Sequence, residues 1–188
     1  MLAMTEYMAR NEKDAKALKG MGDRKTGFFG GLEFAYRTVP FAASMEVLKG
    51  ANKAGLAASL NLGHTYRFNE QWGLELGLTG VWGDKDYHAW EFGITSAQAA
   101  RRQALIDAGN RDLRPADTRP FTPKEGMREI RAETMLQWNL TERWMTFAIV
   151  QHGRLLNDAA NGPLTRSKNQ TSFGIGFGYQ FASGHEGH

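Results

Sequence analysis

The sequence predicts an all-β chain, an antiparallel up-and-down transmembrane β-barrel, and three observations carry that reading. Apolar and polar residues alternate with period two over segments of roughly the 9–11 residues that a tilted strand needs to cross a bilayer. Aromatic residues collect at the ends of those segments, as interfacial girdles do. Short and long connections alternate between the segments, the pattern of tight periplasmic turns and longer outer loops.

Residues 1–25 have no strand pattern of useful length and are expected to be the remnant of an outer loop. The barrel portion is expected over 26–181. Phe28 to Thr38 sets Phe28, Leu32, Phe34 and Tyr36 on one face against Glu33 and Arg37 on the other. Val39-Pro40 turns the chain into Phe41 to Leu48, a shorter and weaker alternation. Leu56 to Phe68 has an apolar face of Leu56, Ala58, Leu60, Leu62, Tyr66 and Phe68, interrupted by His64. After the tight turn Asn69-Glu70-Gln71, Trp72 to Trp82 sets Trp72, Leu74, Leu76, Leu78 and Trp82 opposite Glu75 and Thr79.

A long outer loop follows over 84–127, with one short helix expected at Ser96 to Ala108 and Ser96 as its cap. Ile130 to Leu140 alternates Ile130, Ala132, Leu136 and Trp138 with Arg131, Glu133 and Gln137. Thr141-Glu142-Arg143 is the next tight turn. Trp144 to Leu156 is ambiguous, because both faces are apolar. Asn157 to Lys168 is another outer loop, and Thr171 to Phe181 is the cleanest strand, with Phe173, Ile175, Phe177, Tyr179 and Phe181 against Ser172, Gly174, Gly176 and Gly178. Residues 182–188 read as a flexible tail.

Seven such strands make an odd count, whereas single-chain bacterial barrels normally have an even one. An open sheet would leave unpaired edges in lipid. The expectation is therefore an N-terminally truncated barrel of about seven strands, whose missing part supplies an odd number more. The start also lacks an apolar signal-peptide core.

Composition narrows the function. The 23 Lys+Arg and 20 Asp+Glu give a net charge of +3, too small to argue for nucleic acid. With no cysteine, disulfides and thiolate chemistry are excluded. The long loop holds seven basic and seven acidic residues and is no polyanion site. No Ser–His pair, phosphate loop or zinc helix is found, so no catalytic residue, cofactor or metal is expected and the chain is read as a non-enzyme. His185 and His188 lie in the Gly-rich tail, and His64 near a strand end. By the pleat alone, Glu33, Arg37, Glu75, Arg131 and Glu133 should face the barrel interior.

Three passages resemble the MipA/OmpV family, outer-membrane proteins named for a member that interacts with the murein hydrolase MltA. The first, Tyr87 to Ala99, includes Tyr87, Trp90, Phe92 and Gly93. The second, Leu155 to Leu164, includes Asp158, Ala159 and Pro163. The third is the closing Gly176 to Phe181, in which Tyr179 and Phe181 form the terminal assembly signal. Leu18 to Arg24 is similar to an early loop of the family. The resemblance implies a Gram-negative outer-membrane barrel, surrounded by lipid and inserted by the barrel-assembly machinery. It further implies a scaffold that brings a lytic transglycosylase to a penicillin-binding protein. A small-solute channel or osmotic-response barrel is the alternative.

Overall fold

The computed structural model describes residues 2–7, 10–24 and 27–181. Its strands are β1 (Leu2–Tyr7), β2 (Gly27–Thr38), β3 (Phe41–Gly50), β4 (Leu56–Arg67), β5 (Trp72–Gly83), β6 (Gly126–Asn139), β7 (Trp144–Leu155) and β8 (Asn169–Tyr179). They form a single sheet in chain order, and every neighbouring pair is antiparallel. All seven expected strands are present. Among the described residues no ladder joins β8 to β1, so the sheet is open. The tail, residues 182–188, lies outside the described residues.

One expectation is corrected at the start. Leu2–Tyr7, read as part of a loop remnant, is a strand paired with β2 from Leu2 opposite Leu32 to Tyr7 opposite Gly27. Six residues are shorter than a bilayer crossing, so a length criterion passes over them. With it the described strands number eight, and the parity argument built on seven lapses.

The ladder registers put each strand's alternation in phase with its neighbours. Leu78 pairs with both Leu62 and Ala132, Leu76 with His64 and Thr134, and Trp72 with Trp138. Tyr36, Ala43 and Leu62 continue the row toward β2. Leu60, Leu62, Leu76, Leu78, Phe173, Ile175 and Phe177 are all exposed, and Leu74 is half-buried on the same face. The opposite face is polar: Ser44, Asn61 and Thr79 pair in register and are linked by hydrogen bonds of 3.2 and 2.8 Å.

This polar face is concave. Residues of β2 and β6 line one hollow of about 400 Å³, although four strand spacings in a flat sheet would hold them roughly 19 Å apart. The ambiguity of β7 has a packing cause. Its inward Met145, Phe147 and Ile149 lie across from Gly178, Gly176 and Gly174 of β8. A Cβ on Gly176 would meet the Phe147 ring at 2.4 Å. The large side chains of β7 fill the space that the glycines of β8 leave.

The tight-turn end has an aromatic band on its convex side. Trp72 stacks on Trp138 at 5.1 Å, Trp144 meets Tyr179 at 4.8 Å, and His64 sits between Phe41 and Tyr66 at 4.7 and 4.0 Å. Among the described residues, no helix is long and apolar enough to cross a membrane.

Candidate functional site

At the end opposite the tight turns, three connections assemble into a cap. The β5–β6 connection contributes most of it. Asp84 opens α1 (Lys85–Phe92) by accepting from the Tyr87 amide at 2.7 Å. The one helix expected in this outer loop is at Ser96 to Ala108, so α1 is an addition to it. Its sequence has little helical stripe, and it is held by its cap and by burial of Tyr87 and His88. His88 Nδ1 lies 2.7 Å from the carbonyl of Lys124. The expected helix is α2 (Ser96–Asp107), but Thr95 is its cap, not Ser96. Thr95 and Gln98 form a reciprocal capping box, a Thr-x-x-Gln signal already visible in the sequence.

Tyr87 plugs the sheet's mouth. It packs with Phe29, Leu48, Ala54 and Ala57, and Trp90 rests against that cluster. Phe29 meets the rings of Tyr87 and Trp90 edge-on at 6.1 and 5.6 Å. Gly55 lets α1 approach this closely: at φ +81° it lies where a Cβ would come within 2.0 Å of the Tyr87 amide. At the other side a bulge in β6 leaves Arg128 as the extra residue, and it donates to the Tyr87 hydroxyl at 2.9 Å.

The electrostatic centre of the cap is Asp117, which is fully buried. Arg166 bonds both its oxygens at 2.9 and 2.6 Å, and Arg114 adds its backbone amide at 2.8 Å and its guanidinium at 3.1 Å. Arg102, itself fully buried, stands 3.8 Å away and donates to the carbonyls of Asp117, Ala17 and Lys19. Burial works to raise the Asp117 pKa, but the bonds from Arg166 and Arg114 outweigh it and hold the carboxyl below its ordinary value. Burial lowers the Arg102 pKa, with the charge of Asp117 opposing. The 10–24 segment, the β5–β6 connection and the β7–β8 connection are thus joined at one carboxylate.

The motif residues meet in this cap. Asp158 accepts from the Lys124 amide at 2.8 Å, Ala159 is buried, and the Pro163 carbonyl accepts from Arg114 at 3.0 Å. Ile94, next to Gly93, pairs with Phe121 and packs with Met21 and Ala99. Phe92 lies edge-on to His88. α3 (Asn157–Asn161) shapes the last loop. Tyr179 and Phe181 instead stand at the far end of β8, their rings 4.9 Å apart in the aromatic band.

The five expected interior charges divide. Glu33, Arg37, Arg131 and Glu133 line the concave hollow together. Glu75 lies nearer the tight turns, in a second hollow of about 450 Å³ shared with Arg37 and Arg67. Arg131 forms its ion pair with Glu129, two residues along its own strand, rather than across a ladder. Glu133 accepts from Gln151. Glu33 and Glu46 are direct ladder partners, a like-charge placement that a polar concavity tolerates.

Arg102, Arg114, Asp117 and Arg166 were not singled out by sequence reasoning. Asp117 and Arg166 are 49 residues apart, and no local pattern signals their meeting. Among the described residues, no cluster of His, Cys, Asp or Glu has the arrangement to hold a metal.

No curated protein matches the chain. The family model described as MltA-interacting protein MipA matches residues 2–181, which takes in β1 through β8, the cap and the terminal aromatic pair. The chain belongs to the MipA family of envelope barrel proteins.

Proposed function

We propose that this protein is an outer-membrane barrel of the Gram-negative envelope that works as a non-catalytic scaffold. The observation that carries the membrane placement is the convex face: rows of exposed Leu, Phe and Ile above an aromatic band. Lipid is the medium that such a face suits. The tight-turn end then faces the periplasm and the cap faces outward. Tyr179 and Phe181, at the periplasmic end of β8, are the segment offered to the barrel-assembly machinery. The family's printed name points to a murein hydrolase as partner. In this reading a lytic transglycosylase and a penicillin-binding protein dock at the periplasmic rim, formed by the turns at Val39-Pro40, Asn69 to Gln71 and Thr141 to Arg143.

The test is a cross-linked pull-down from envelope extract with full-length tagged protein. Recovery of a lytic transglycosylase together with a penicillin-binding protein is expected, and recovery of neither rules the scaffold out. A second reading, a small-solute channel, draws on the polar hollow of Glu33, Arg37, Arg131 and Glu133. Planar-bilayer recordings decide it, since a silent membrane at every voltage removes the channel.

A further inference from the structure

Between the 10–24 segment and the start of α2 the cap forms an open cleft of about 340 Å³. That volume is at the lower end of what small-molecule sites hold. Two guanidiniums line it. Arg10 and Arg24 are held side by side because their backbones pair reciprocally, N to O at 2.9 and 2.7 Å. Arg24 lies over the Trp90 ring at 3.5 Å and donates to the Trp90 carbonyl at 2.8 Å. Arg10 donates to the Glu91 carbonyl at 3.2 Å.

The donors outnumber the acceptors that meet them. The Nε atoms of both arginines are buried and have no hydrogen-bond partner. Glu91 is the carboxylate paired with Arg24, at a long 3.4 Å. Asp23 also lines the cleft, but it is exposed and accepts from the Glu12 amide. Those Nε atoms are sealed from the cleft, so a ligand meets the terminal amino groups; the two neighbouring cations share the one carboxylate of Glu91, and a further anion balances the second charge. The opposite wall is apolar, made by Met21, Ile94 and Phe121.

We propose that this cleft is a binding site for a small organic anion, a carboxylate or phosphate monoester carried on a flat apolar body. The acidic head meets Arg10 and Arg24, and the body lies on Met21, Ile94 and Phe121. The charge of the anion, like that of Glu91, opposes the burial that lowers the Arg10 pKa. The site is independent of the scaffold reading and uses none of the periplasmic turns.

The test is calorimetric titration of the full-length protein in detergent with three probes: benzoate, phenyl phosphate and benzyl alcohol. Binding by at least one of the two anions is expected, and the stronger of them identifies the head group. The neutral alcohol should bind at least about tenfold more weakly, as should the better anion to Arg10→Gln. Arg24→Lys keeps the charge but loses the fork, so it should weaken binding less than Arg10→Gln. Arg119→Gln, on the cap's exposed surface, is the control and should leave binding unchanged. Unchanged heat-modifiable gel mobility shows that each variant keeps its barrel. Equal affinity for benzyl alcohol, no binding of either anion, or full affinity in Arg10→Gln overturns the proposal.

Discussion

Asp117 shows what a single buried carboxylate does when three arginines depend on it. Removing its charge as Asp117→Asn leaves Arg102 buried without its counter-ion, and breaking such a pair costs about 3–5 kcal/mol. The expected loss is local. The cap should become sensitive to protease while the strand ladders, which have no bond to Asp117, keep their amide protection; unchanged cleavage of the cap would remove the central role given to Asp117. The same residue sets a pH response. Its folded pKa is depressed, so its stabilisation is fully present above the unfolded carboxyl value of about 3.9 and declines as pH falls through the lower folded value. Cap protection measured by hydrogen exchange should therefore hold at neutral pH and fail only in strong acid. None of this was legible in the sequence, because Arg102, Arg114 and Arg166 read there as ordinary loop charges. Burial, which makes them matter, is a property of how the connections fold together.

Among the elements, the strands were legible and the cap helices only partly so. A strand's period of two needs no tertiary information to be seen, and β8 shows it cleanly from Thr171 to Tyr179. β7 is ambiguous alone because its inward apolar residues answer glycines on a different strand. α1 lacks an apolar stripe and depends, beyond its own cap Asp84, on Gly55 and the Phe29 cluster, both supplied from elsewhere in the chain. Two outcomes belong to this scale. Thr95→Ala should destabilise α2 by about 1 kcal/mol, seen as faster exchange of its first-turn amides, whereas Ser96→Ala should do little. Were Ser96→Ala the more damaging, the cap assignment would move back to Ser96. On the convex face, Leu62→Arg should cost about 2–4 kcal/mol near the bilayer midplane, measured by refolding into lipid vesicles. A neutral Leu62→Arg would contradict the lipid-facing assignment.

In the whole molecule, the two ends of the sheet differ among the described residues: β1 covers six residues of β2, whereas the outer side of β8 has no ladder over eleven. Unpaired strand edges template association. The protein refolded in detergent at rising concentration should associate through β8, and Thr171→Pro, which removes an amide from the open side of that strand, should reduce the association measured by light scattering. Association unaffected by that change would place the contact elsewhere. The in-order sheet and the Asp117 junction also imply a sequence of events in time. Each strand pair is a hairpin of neighbours, so the four ladders closed by short links need little chain searching, whereas Arg102 must find carbonyls more than 80 residues away and Arg166 a carboxylate 49 residues away. Closing those long loops costs entropy that only a preformed sheet offsets. Strand pairing is therefore expected to precede cap closure, a hypothesis that pulse-labelled exchange during refolding tests directly: cap amides protected ahead of β5 and β6 would reverse the order. The carboxylate at Asp117 then acts as a completion mark, engaged by Arg166 only after the chain from its tenth residue to the loop before its last strand has been set in place.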